Sequence, residues 1–181
     1  MCSSDLHDVV KSEFPQGEKQ PDKSAVAAVH KRSATVYDEF STKAIFDGMW
    51  LSDSLRRTYV DMYTHKRGLS AETQETELKR QLAENRVWLS FYLLADVRDR
   101  SFTQMNEKDS FWTTYAVVDG KHKLVPESIK EVELEPEYQQ LFGSRYIHFK
   151  TPYLIKIPVS EHMAEHIASG KYTSISLVVG S

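Results

Sequence analysis

The stretch VWLSFYLLA, residues 87–95, reads as a strand with no polar face. A half-exposed strand alternates apolar and polar residues, because successive side chains point to opposite sides. Here Trp88, Leu89, Phe91, Tyr92, Leu93 and Leu94 occupy both sides. The sheet that contains it must therefore be covered front and back, and this strand belongs near its centre.

Upstream, SDSLRRTYVDMYTHKRG (52–68) places Leu55, Tyr59, Met62 and Tyr63 at steps of three and four, which predicts a helix with one apolar face. Ser52 or Asp53 can accept from the first free amides. His65, Lys66 and Arg67 suit the negative end of the helix, and Gly68 suits a left-handed stop. A second helix restarts at Ser70 with Leu78 and Leu82 as its thin stripe, so the pair forms a helical hairpin that must pack on something else. Before it come two predicted strands, 34–40 and 43–51, led in by the alanine-rich AVAAVHKRS.

Downstream lies a polar loop, ADVRDRSFTQMNEKDS. It precedes a hairpin whose turn is Asp119-Gly120, a pair that tolerates positive φ. EVELEPEYQQLFG reads as a strand end and one helical turn. YIHFKTPYLIKIPV reads as extended, with Pro152 and Pro158 favouring an edge or a bulge. KYTSISLVVG alternates cleanly. About seven short strands with turn signals predict an α+β fold: an antiparallel Ig-like β-sandwich with a helical hairpin at about 53–85 inserted after the second strand.

The chain has 181 residues, enough to bury a core in one domain without disulfides. Acidic and basic residues are interspersed at a net charge of −3, so nothing attracts nucleic acid in general. The single cysteine is Cys2, followed by a mostly polar stretch. Residues 1–24 read as a flexible tether and 25–181 as the globular domain. A cysteine ahead of such a leader looks like the start of a mature bacterial lipoprotein, with Cys2 carrying the lipid. The plainer reading is an ordinary second residue of a cytoplasmic protein.

The segments ATVYDEFSTKAIFDGMWLSDSLRRTYVDMYTHKRGLS, FYLLADVRDRSF, EKDSFWTTYAVVDG and LFGSRYIHFKTPYLIKIP resemble a family of uncharacterised lipoproteins of delta-type proteobacteria, over roughly residues 33–158. The resemblance implies a lipid anchor, an envelope location and a sandwich-like core. It implies no activity.

Three constellations could carry chemistry. His162, Glu165 and His166 spell H-x-x-E-H, the inverted zinc-peptidase pattern, in which two imidazoles grip a metal and the glutamate works on water. No acidic or histidine ligand follows in IASGKYTSISLVVGS, so a short solvated helix is preferred and no metal or cofactor is expected. The loop holding Asp96, Asp99 and Asp109 offers oxygen ligands, but basic residues interleave with them and no calcium-loop spacing exists. Trp88 and Trp112 could line a groove or a partner surface, although most strand aromatics are core. Together Trp88, Trp112, Asp96, Asp99 and Asp109 form the candidate binding surface.

The resulting expectation is a non-enzymatic binding or scaffold module of the cell envelope. Its lipid anchor at Cys2 would hold it to a membrane on the periplasmic side, facing another envelope protein. The alternatives are a metal-dependent hydrolase built on the 162–166 helix, or a soluble module for a small ligand lined by Trp88 or Trp112.

Overall fold

The computed structural model describes residues 10–15, 23–38, 41–98, 104–106 and 110–180. Nine strands among them form two antiparallel sheets. One sheet has the order β2 (Lys31–Asp38), β3 (Ser41–Trp50), β4 (Trp88–Val97), β8 (Thr151–Pro158), β7 (Ser128–Glu131). The other has the order β1 (Val10–Pro15), β9 (Ser174–Gly180), β5 (Thr113–Val118), β6 (His122–Leu124). Five helices accompany them: α1 (Lys23–Val29), α2 (Asp53–Arg67), α3 (Ala71–Glu84), α4 (Pro136–Phe142) and α5 (Glu161–Ala168).

The central strand is β4, as its doubly apolar sequence requires. Leu89, Phe91, Leu93 and Ala95 face the four-stranded sheet and pack with Ile155, Ile157, Ile175 and Leu177 in the sandwich core. Leu94 faces the other way, joining Met49 and Leu51 against Leu55 and Tyr59 of α2 and Tyr138 and Phe142 of α4. The five-stranded sheet is thus the middle of three layers. Helices cover the face that the second sheet leaves open, and apolar area is removed from water on both sides.

Local signals set the helix ends. Ser52 Oγ accepts from the Leu55 amide at 3.1 Å, and Gly68 closes α2 at φ 62°. Ser70 caps α3 in the same manner, accepting from Thr73 N at 3.2 Å. The β5–β6 turn holds Asp119 at φ 54° and Gly120 at φ 67°, a twist that suits the strands it joins. Arg56 of α2 ties the hairpin together. It is buried, and donates from Nε to Asn85 Oδ1 at 2.7 Å, from Nη2 to Glu84 Oε2 at 3.1 Å, and from Nη1 to Gln81 Oε1.

The expected antiparallel sandwich with helices is what the chain forms, with nine strands where about seven were read. Two expectations need correction. One of the additional strands, β1, lies inside the stretch read as a tether and pairs with β9 from Val10↔Val179 to Pro15↔Ser174. Its sequence carries no sustained apolar period, and its pairing depends on a segment near the other end of the chain. Nor is β8 an edge strand, since β4 and β7 flank it. Its prolines are tolerated because the ladder with β7 runs only from Lys156 to Tyr153, so Pro152 and Pro158 lie beyond it.

Candidate functional site

The end of β3, the start of α2 and the start of β4 meet α5 around a pocket of about 150 Å³. His30, Trp50, Ser52 and Asp53 form one side, Asn85, Arg86 and Trp88 another, and Ala164, Ile167 and Ala168 of α5 the lid. His30 follows α1, and its carbonyl accepts from Trp50 N at 3.1 Å, which fixes the imidazole against the end of β3. The ring stands edge-on to the Trp50 indole at 5.4 Å between centroids. Its Nε2 lies 3.1 Å from Ser52 Oγ, and its Nδ1 is buried with no partner. Burial, reinforced by the charge of Arg32, pushes the His30 pKa down to about 4, so the ring is neutral at neutral pH.

A hydroxyl beside an imidazole at a helix start invites comparison with a nucleophile and its base. Three features argue otherwise. Ser52 Oγ already caps α2, His30 is too weakly basic to take its proton near neutrality, and no carboxylate orients Nδ1. What the arrangement can do is hold polar atoms of a small molecule against two indoles. Asp53 adds a carboxylate, tied through Oδ1 to Asn85 Nδ2 at 2.7 Å, and Arg86 adds an exposed guanidinium.

The H-x-x-E-H helix is α5, and it meets this pocket with its opposite face. Ala164 and Ile167 point inward, while His162 and Glu165 are exposed and His166 is half-buried. The two imidazoles lie 4.0 Å apart between centroids. Lys171 Nζ stands 3.4 Å from His166 Nε2, placing an ammonium where a metal would have to bind. Burial, His162 and Lys171 all push the His166 pKa down. Among the described residues no third His, Cys, Asp or Glu joins the pair in a metal-holding group.

The structure separates the members of the candidate binding surface. Trp88 lines the pocket. Trp112 is 4 % exposed and sits inside the sandwich core, edge-on to Phe46 at 5.0 Å, so it offers no binding surface. Its place in sequence next to a polar loop disguised a residue that the second sheet buries. Asp96 lies near the far end of β4, half-exposed and paired with Ile45. At about 3.3 Å per residue it is roughly 26 Å from Trp88. Asp99, Asp109 and Cys2 lie outside the described residues.

A second pocket, of about 530 Å³, lies between the end of α2 and α4 beside Lys31, His65, Lys66 and Glu137. Glu137 is buried and takes an ion pair from Arg67 at 2.7 Å. Burial pushes its pKa up, but the Arg67 hydrogen bond and the charges of Arg67 and Lys66 outweigh this and leave it lowered.

Sequence reading did not single out His30, Asp53 or Arg86 as site residues. Ser52 was legible as a helix cap, but a lone histidine such as His30 carries no spacing signal. Among the described residues no helix is long and apolar enough to cross a membrane. Compared with known proteins, the chain matches no family model, no curated protein and no solved structure.

Proposed function

We propose that this chain is a non-enzymatic binding module that takes a small ligand in the pocket at the start of α2. One observation carries the reading: a pocket of about 150 Å³ whose wall joins the indoles of Trp50 and Trp88 to the polar side chains of Ser52, Asp53 and Asn85 at the start of α2. Such a combination of apolar surface and a few fixed polar groups is what small-ligand sites present. Tryptophan fluorescence and thermal unfolding of the full chain across a panel of small metabolites test it. A ligand should perturb the emission and raise the melting temperature. Trp88→Ala should remove both effects. A panel that leaves emission and melting unchanged throughout would overturn the reading.

Anchorage in the cell envelope through a lipid on Cys2 belongs to the same proposal, with a ligand or another envelope protein as what the module holds. The cysteine at position 2, followed by a mostly polar stretch, supports it. Expression of the full reading frame in a Gram-negative host, followed by membrane fractionation and mass measurement of the N-terminal peptide, tests it. A soluble product with an unmodified Cys2 peptide would end that part of the proposal.

A further inference from the structure

The pocket of about 530 Å³ between the end of α2 and α4 shares no residue with the one at the start of α2. Its apolar wall comes from three helices. Ala27 of α1 and Leu141 of α4 are buried, and Met62 of α2 is half-buried. All three belong to the helix-side core, so this surface is fixed by packing. Methionine is unbranched and adaptable, which suits contact with an alkyl chain.

The charged side chains of the wall are Lys31, Lys66 and Glu137. Glu137 is answered within the fold: Oε1 takes the Arg67 ion pair at 2.7 Å, and Oε2 is enclosed away from solvent. The two ammonium groups are less well answered. Lys31 Nζ donates to the carbonyls of Leu141 at 2.6 Å and Phe142 at 3.3 Å, which leaves one of its three protons. Both of these partners are neutral. Burial and the charge of Arg145 push the Lys31 pKa down, against the pull of Asp47, so an anion beside it would relieve a charge held at some cost. Lys66 is 60 % exposed, and its contact with Glu137 at 3.9 Å is long for an ion pair. His65 stands on the same wall and brings an imidazole N–H.

The geometry points to a second ligand site on this protein, for a medium-chain alkyl carboxylate. The carboxylate pairs with the ammonium groups of the wall, and the tail rests on Ala27, Met62 and Leu141. A cation would face two ammonium groups, and an uncharged chain would leave both to water. The length follows from the space. A filled apolar cavity takes roughly 25 Å³ per heavy atom, so a chain of about eight carbons fits with its head group and some water. Sites of this size, apolar with a few placed charges, are the usual form of small-molecule pockets. The inference stands apart from the reading of the smaller pocket.

Titration calorimetry of the full chain is run with octanoate, with octanol, which lacks the charge, with octylamine, which reverses it, and with butyrate, which shortens the tail. Octanoate should bind at least about tenfold more tightly than octanol or octylamine, the loss expected when a charge-assisted hydrogen bond is removed. Butyrate should also bind at least about tenfold more weakly, because each buried methylene contributes to affinity. Lys66→Gln, an exposed position whose replacement leaves the fold intact by thermal unfolding, should weaken octanoate about tenfold and leave octanol unchanged. The ¹³C-methyl resonance of Met62, identified by its loss in Met62→Leu, should shift on addition of octanoate. Trp88→Ala should leave octanoate affinity unchanged, which separates this site from the pocket at the start of α2. Octanol or octylamine binding as tightly as octanoate would overturn the inference. So would an unmoved Met62 methyl, or no binding by any of the four compounds.

Discussion

Ser52 Oγ lies 3.1 Å from Nε2 of His30 and also receives the Leu55 amide, so one hydroxyl both starts α2 and holds the imidazole in the pocket wall. The pair joins the α1–β2 junction to the long helix α2, and the protonation of His30 follows from its burial.

The His30 imidazole titrates at about 4 in the folded chain, below its ordinary value of 6.5. Above pH 6.5 neither folded nor unfolded chain holds that proton. As the pH falls from 6.5 towards 4 the unfolded chain takes it up first, so stability declines through this window. Urea unfolding should give a stability about 2 kcal/mol lower at pH 5 than at pH 8 from this residue. His30→Phe should flatten that part of the profile, and an unchanged slope would contradict the assignment.

Arg56 is 3 % exposed and serves Asn85, Gln81 and Glu84 at once. Arg56→Ala removes the donors and leaves acceptors of the α2–α3 hairpin unpaired. The expected loss is about 3 kcal/mol by chemical denaturation, reduced from the fully buried case because Glu84 reaches solvent. Arg56→Lys should recover little of it, since an ammonium cannot reproduce the planar fork.

Phe91 sits on the central strand with no exposed surface and faces the sandwich core. Phe91→Ala should cost about 3–5 kcal/mol, through lost burial and the cavity left between two sheets. A loss below about 1 kcal/mol, measured by the same unfolding experiment, would mean that the sheets do not pack as described.

His162 and His166 face away from the pocket, and Lys171 stands beside His166. The double variant His162→Ala, His166→Ala should unfold within about 0.5 kcal/mol of the parent chain, as surface substitutions usually do. Elemental analysis of dialysed protein should find zinc well below one equivalent in both. One equivalent retained by the parent and lost by the variant would restore the metal reading of the H-x-x-E-H helix.

Much of the local architecture was legible because it is encoded in neighbouring residues. The three-and-four spacing of Leu55 and Tyr59, the caps at Ser52 and Ser70, the stop at Gly68 and the turn at Asp119-Gly120 each act within a few positions. The doubly apolar stretch at 87–95 likewise required a covered sheet, and β4 lies at its centre. Of the candidate site, Trp88 was legible as an aromatic at a strand start, whereas Trp112 looked equivalent and is core.

Pairing across the chain was decided by tertiary structure alone. Val10 opposite Val179, β8 between β4 and β7, and His30 against Ser52 all depend on which surfaces remain uncovered once the local elements have formed. Side-chain periodicity records which face of an element is apolar. It does not record which distant face will cover it, because that choice minimises exposed area over the whole chain at once.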